Sequence, residues 1–247
     1  MYLLHQSAFL IHVMAGICSL ILFWIPLWTR KGALDHRRFG RWFCATMYAV
    51  SGTGLLMAVS DLLWPLAMHP VADPANAVAQ TDAIRDRAVF LLSLSILVLA
   101  TTRQGWLVIL EKGQRLRLRS PLHTSLCLAL LLSGLGLGVY GLRDGEVVYI
   151  AFAALQLFLA LRFLHYNLQP ELQAREWLSA HLAGLIGSGI GAYTAFFVFG
   201  GNRIITQLIQ ADSAHFQTIL WLAPGVIGAV AITLLSRRYT PSRPQSR

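Results

Sequence analysis

The stretch RKGALDHRRFGR, residues 30–41, separates two long apolar runs and carries five Lys or Arg among its twelve residues. Short basic segments between membrane-spanning helices are retained on the cytoplasmic side of the membrane. The stretch therefore predicts a cytoplasmic loop between two spans, and this loop fixes the direction of every span before and after it. The N-terminus is accordingly expected outside.

The composition is typical of an integral membrane protein. Of the 247 residues, 56% are hydrophobic and 13% are charged, whereas soluble domains contain about 25% charged residues. The charges cluster between apolar runs of about 20 residues, the length that crosses the hydrocarbon core of a bilayer. The net charge of +9 does not predict nucleic-acid binding, because the basic residues lie beside membrane ends, where orientation and anionic headgroups account for them. The expected partner is the lipid bilayer.

The predicted fold is all-α, a polytopic membrane protein with seven transmembrane helices. Alternating the spans from an outside N-terminus places fifteen Lys and Arg residues in cytoplasmic segments and four in outer segments. No other number of spans reproduces this bias. The prediction is one transmembrane domain, residues 1–238, followed by a disordered cytoplasmic tail rich in Pro, Ser and Arg, residues 239–247. The predicted spans lie at about 3–28, 42–66, 88–109, 121–142, 147–165, 177–200 and 216–236.

Several predicted spans carry small or polar residues along one face. Such residues let helices approach closely in lipid, where no hydrophobic force drives them together. The faces therefore predict helix packing within the chain, and they also offer a surface for a membrane-protein partner or a second copy. The residues on these faces are His5, Ala8, His12, Ala15, Gly16 and Ser19, then Cys44, Ser51, Gly54, Ala58 and Asp61, then Gly134 and Gly138, and finally Ala180, Gly184, Ser188 and Ala192.

Eight histidines are present in this apolar chain, and the predicted topology assigns a depth to each. An ionisable group within a span is costly, so it faces the interior of the protein and marks a function by default. His12 and His181 meet this test best and are candidate metal ligands, while the alternative for both is a neutral core histidine with one hydrogen bond. Further candidates for cofactor binding at the cytoplasmic side are His36, His123 and His165. The histidines assigned to the outer side are His5, His69 and His215, of which His69 and His215 are expected to be solvated loop residues.

Neutral imidazole is the commonest biological metal ligand, and two histidines on facing helices can hold a haem iron. The leading hypothesis is therefore an electron-transfer protein or membrane oxidoreductase that holds haem b or another metal ion. A second hypothesis is a transporter in which the histidines relay protons and six other residues line a path, namely Asp61, Arg103, Gln104, Gln156, Tyr193 and Thr194. A third is an accessory subunit that packs against a larger membrane complex through its glycine faces.

Three better-defined functions are excluded or disfavoured by missing residues. A retinal Schiff base needs a lysine within the membrane, but the only lysines are Lys31 and Lys112, both in predicted cytoplasmic loops. A membrane zinc hydrolase of the adiponectin-receptor type needs an HxxxH pair in its last span, which is absent from span seven. The sequence also lacks the GxSxG, Walker A and HExxH motifs.

The stretch HVMAGICSLILFWIPLWTRKGALDHRRFGRWFCATM, residues 12–47, resembles a bacterial membrane family known as domain of unknown function 2306. The later stretch HLAGLIGSGIGAYTAFFVF, residues 181–199, is similar to the second histidine-led helix of that family. The resemblance implies a bacterial inner-membrane protein and supplies no reaction. Two interpretations of the motif HRRFG stay open. One is an anchor that fixes the topology, and the other is a cytoplasmic site in which His36 approaches His123, His165 or His181. The family pattern carries over to His12, His36, Arg37, Arg38, Gly40, His181 and Tyr193.

Overall fold

The structure, a computed structural model, describes residues 2–70, 74–200 and 214–239, and it describes no side chains for residues 214–217. These residues form helices and no strands, which confirms the predicted all-α class. A 3-10 turn covers Pro74–Asn76, and a π-helical turn covers Phe196–Gly200. The helices are α1 Tyr2–Trp28, α2 Leu34–Leu63, α3 Pro65–Met68, α4 Ala77–Glu111, α5 Pro121–Asp144, α6 Val147–Leu168, α7 Glu176–Ala195 and α8 Ala214–Tyr239.

Six helical segments of the described chain are long and apolar enough to cross a membrane, which confirms a polytopic membrane protein. They are α1, α2, α5, α6, α7 with its π-helical turn, and Thr218–Tyr239 of α8. Helix α4, which contains the predicted third span, is not among the six. The count of seven and the outside N-terminus therefore stay predictions.

Two predicted loops are partly helical. Helix α2 begins at Leu34, so His36 to Arg41 lie on a helix rather than in a loop. Asp35 in the first turn of α2 is favourable at a helix N-terminus, and Lys and Arg are good helix formers. The helix therefore extends through these charged residues, although the apolar span does not. Helix α4 begins at Ala77 and takes up about half of the segment between the predicted second and third spans, 42–66 and 88–109. The predicted tail after Tyr239, the segment around Arg203 and the side chain of His215 lie outside the described residues.

The chain divides into two compact units, and α4, α5 and α6 contribute residues to both. The first unit comprises Met1–Leu99 and Ala129–Leu157, and the second comprises Ala100–Leu128 and Phe158–Arg247.

In the first unit, the predicted small-residue face of α2 is buried throughout and that of α1 is buried in part. His5, Ala8 and Ser19 are the buried residues of α1. All five residues of the predicted α2 face are buried as well, including Ser51 and Asp61. The two faces therefore pack helices in this unit.

A closed set of hydrogen bonds joins α4, α5 and α6 in the first unit. The Gln156 amide nitrogen donates to Ser93 Oγ at 2.6 Å, and Ser133 Oγ donates to the Gln156 amide oxygen at 2.6 Å. The two hydroxyl oxygens lie 3.1 Å apart. Beside this set, the GxxxG residues of α5 face α6: a Cβ added at Gly134 would lie 3.1 Å from Gln156 Cβ. Small residues and hydrogen bonds thus hold these helices together, as expected in lipid.

In the second unit, α4 and α7 approach with almost no side chain between them. A Cβ added at Gly184 would lie 2.6 Å from the Cα atom of Gly105, so only glycine fits on both helices. Next to this contact, a buried apolar core is formed by Leu107, Val108, Leu118 and Tyr166. The glycine face predicted for span six is therefore confirmed as a packing surface.

Candidate metal centre

Three potential metal ligands converge in the first unit, at the beginning of α1 and beyond the end of α2. They are His5 in the second turn of α1, Asp61 near the end of α2, and His69, which caps the carboxyl end of α3. One donor atom from each lies within 4.8 Å of the other two. It is the one group of three or more His, Cys, Asp or Glu residues with this spacing that we find in the described chain.

The break between α2 and α3 brings His69 back towards Asp61. Proline restricts the residue before it to extended conformations and lacks an N–H, so Trp64 leaves the helical conformation and a single new turn begins at Pro65. The His69 N–H closes that turn by donating to the Pro65 carbonyl oxygen at 2.9 Å. The ring of His69 thereby reaches a carboxylate eight residues earlier in the chain.

Asp61 is the shared centre of the group. Its Oδ1 atom lies 3.0 Å from His69 Nε2 and 3.1 Å from His5 Nε2. The two imidazole rings meet edge to face, with centroids 5.3 Å apart. The side chains of His5 and Asp61 are 8% and 9% exposed, whereas that of His69 is 32% exposed. The group is therefore closed on the helix side and accessible at His69.

The ring of His5 is buried without a hydrogen bond. Both of its nitrogens are inaccessible, and the contact of Nε2 with Asp61 lacks the alignment of a hydrogen bond. A buried polar atom without a partner costs about 1–3 kcal/mol. Such atoms in a native structure call for an explanation such as a bound ion or water.

The spacing of the three donors suits a metal ion. Bonds of about 2.0–2.2 Å place neighbouring ligands about 3.3–3.6 Å apart around a tetrahedral ion and about 2.8–3.1 Å apart around an octahedral ion. The two distances to Asp61 Oδ1, 3.0 and 3.1 Å, fall in the octahedral range. Two imidazoles and one carboxylate form a ligand set used by Zn²⁺ and by non-haem Fe²⁺.

His12, a predicted metal ligand, lies half-buried in the first unit and bonds to α2. Its Nδ1 atom is 3.0 Å from Thr53 Oγ1, and the Thr53 hydroxyl itself donates to the Ala49 carbonyl oxygen at 2.6 Å. The His12 Nδ1–H therefore donates to Thr53. In a neutral ring this leaves the lone pair on Nε2.

His36, in the same unit, caps α1 together with Lys31. His36 Nδ1 donates to the Pro26 carbonyl oxygen at 3.0 Å, and Lys31 Nζ donates to the same oxygen at 2.9 Å. The last carbonyls of a helix lack partners within it, and a cation there is favourable. Burial against the helix end lowers the pKa of the Lys31 ammonium. Arg37 and Arg38 are exposed.

His123, in the second unit, belongs to a fully buried polar network. Its Nε2–H donates to the Gln104 amide oxygen at 2.7 Å, and the Gln104 amide nitrogen donates to Asn167 Oδ1 at 3.0 Å. Cys127 Sγ lies 3.8 Å from His123 Nε2. The network links α4, α5 and α6, and His123 Nδ1 remains buried without a hydrogen bond.

His181, the other predicted metal ligand, lies half-buried on α7 in the second unit. Its Nδ1–H donates to the Gly105 carbonyl oxygen at 2.9 Å, beside the close approach of Gly105 and Gly184. His165 is exposed on α6. The ring of Tyr193 lies 6.2 Å from that of Phe197. The roles predicted for these residues stay predictions.

Asp61 is a candidate residue from the sequence, but the sequence does not join it to His5 and His69. One signal was available: His5 and Asp61 both lie on small-residue faces that were predicted to pack. The return of His69 depends on the turn after Pro65, and the sequence predicted His69 as a solvated loop residue instead. Comparisons of the chain with protein-family models, with curated proteins and with solved structures give no match.

Proposed function

We propose that this integral membrane protein binds one divalent transition-metal ion through His5, Asp61 and His69. The observation that supports the proposal is the convergence of three donors around a buried His5 ring that has no hydrogen-bond partner. An ion bound at His5 Nε2 would give that nitrogen a ligand bond and would neutralise the buried Asp61 carboxylate. Zn²⁺ and Fe²⁺ fit the nitrogen-rich ligand set, whereas Ca²⁺ and Mg²⁺ prefer oxygen ligands.

The proposal includes a topology of seven spans in a bacterial inner membrane, with the N-terminus outside and the C-terminus in the cytoplasm. The uneven distribution of Lys and Arg supports this orientation, and the inner-membrane location is the one that the family resemblance implies. Helix α4, which contains the predicted third span, has 35 residues. It is therefore long enough to raise the number of spans from six to seven, since about 20 residues suffice. His5 near the N-terminus and His69 after α2 then place the ion at the outer side.

Metal analysis and a competitive Zn²⁺ titration of the detergent-purified protein, prepared with a tag that contains no histidine, test the proposal. We expect about one equivalent of bound metal per chain. The variants H5A, D61N and H69A should each weaken binding by about 100-fold or more, because even the outer partners of metal ligands contribute 10–100-fold. Matched controls are Q6A and D82N, exposed positions in the same unit, which should bind as the unaltered protein does.

An absence of bound metal, together with no Zn²⁺ binding after the protein is stripped with chelator, would contradict the proposal. The group would then be a polar cluster in which His69 Nε2 hydrogen-bonds to Asp61 Oδ1 at 3.0 Å and His5 Nε2 lies 3.1 Å from the same oxygen.

Haem b held by intramembrane histidines, with His12 or His181 as a ligand, is the second candidate. The supporting observation is that the His12 ring donates through Nδ1 to Thr53, the kind of second hydrogen bond that orients a histidine ligand in many metal sites. A reduced-minus-oxidised visible spectrum of the same samples tests it. A sharp α band that disappears in H12A or in H181A would support haem binding, and a flat spectrum would exclude it.

A further inference from the structure

The number of protein donors at the candidate metal centre is smaller than the coordination number of the ions that fit it. The described chain supplies three donors, from His5, Asp61 and His69. Zn²⁺ takes four or five ligands in catalytic sites, and non-haem Fe²⁺ bound by two histidines and a carboxylate keeps open positions. At least one position is therefore left for a ligand that the described protein does not provide.

The exposure of the three side chains gives the direction from which such a ligand enters. His5 and Asp61 are enclosed between helices, at 8% and 9% exposure, whereas about a third of the His69 side chain is accessible. Pro70, which follows His69, and the 3-10 turn Pro74–Asn76 are exposed as well. The accessible side of the centre is the side of His69.

We infer that the ion at His5, Asp61 and His69 keeps an exchangeable coordination position on the His69 side, and that this position takes a small anionic oxygen or nitrogen donor. The inference rests on the proposed metal site. The reaction is a ligand exchange: the entering anion replaces a water molecule on the ion, and no electrons are transferred. The arrangement is that of a metal site which acts on an external ligand, in contrast to a structural site closed by four protein ligands.

Cobalt(II) is the probe for the open position, because its visible bands report coordination and it occupies zinc sites. We expect Co²⁺ to bind to the chelator-stripped protein, and azide to shift the visible bands in a saturable titration. Bands that do not respond to azide would show that the protein itself completes the coordination shell. That result would overturn this inference and leave the metal site intact, whereas a failure of Co²⁺ and Zn²⁺ to bind would overturn both.

Chemical rescue tests the direction of entry. In H69A, free imidazole can approach from the accessible side and replace the missing ring, so it should restore Co²⁺ binding. In H5A, the missing ring belongs in an enclosed space, so the same imidazole concentration should restore much less Co²⁺ binding. Size-exclusion profiles and melting curves of both variants establish that each is folded. Equal rescue of both variants, or rescue of H5A alone, would overturn the inferred direction.

Discussion

At the scale of single residues, Gln104 shows how much one polar side chain can hold together in an apolar protein. Its amide oxygen accepts from His123 and its amide nitrogen donates to Asn167, so one side chain bridges three helices of the second unit. All three side chains are at most 2% exposed. The buried polar groups of His123 and Asn167 therefore depend on Gln104 for their hydrogen bonds.

Replacing Gln104 by leucine should destabilise the protein by about 1–3 kcal/mol for each partner left unpaired. The volume changes little in Q104L, but His123 Nε2 and Asn167 Oδ1 lose their partners in a buried place. A lower melting temperature in detergent is the expected result. Q80L makes the same substitution on α4 at a half-buried position, and it should melt close to the unaltered protein. Equal melting temperatures for the two variants would show that the network contributes little.

Residue-scale prediction from the sequence succeeded where helical periodicity alone decides the outcome. The faces that carry His5 in α1 and Asp61 in α2 follow from 100° per residue, and both residues are buried there. The position of His69 does not follow from periodicity. It depends on the turn after Pro65, whose direction is set by tertiary packing, so the third ligand of the candidate centre could not be assigned from the sequence.

At the scale of helices, the approach of α4 and α7 gives the clearest test of close packing. A Cβ at position 184 would meet three backbone atoms of α4 within 3.0 Å: Gly105 Cα, Gly105 N and the Thr101 carbonyl oxygen. Backbone atoms cannot rotate away as a side chain can. The helices must therefore separate to admit even one methyl group.

G184A should accordingly destabilise the protein by about 1–3 kcal/mol, the usual cost of overpacking. The matched control is G187A on the same helix, where an added Cβ meets nothing within 4 Å. Because alanine is the better helix former, G187A should be neutral or slightly stabilising. Thermal unfolding in detergent measures both, and a G184A protein as stable as G187A would contradict the observed contact.

The bounds of the helices were harder to predict than their existence. Charged residues mark where the apolar span ends, and the predicted helices end at the same points. Helices α2 and α4 continue past these charges, to Leu34 and Ala77 at their amino ends. Backbone hydrogen bonding continues beyond the apolar span when the residues there are good helix formers, so hydropathy underestimates helix length.

At the scale of the whole molecule, the orientation in the membrane is the prediction that most needs a measurement. Single cysteines at R30C, N76C, G113C and E146C in a background with C18S, C44S and C127S can be labelled with a membrane-impermeant maleimide. N76C and E146C should react in intact spheroplasts, and R30C and G113C only after lysis. Labelling of N76C and G113C from the same side would show that α4 does not cross, and would reduce the count to six spans.

Arg115 caps the carboxyl end of α6, and this contact has a consequence for the order of assembly during synthesis. Arg115, which is 5% exposed, donates to the carbonyl oxygens of Tyr166, Gln169 and Pro170. These acceptors leave the ribosome about fifty residues after Arg115 does. The guanidinium group can therefore reach its three acceptors only after Pro170 has been synthesised, and until then water or headgroups must satisfy it.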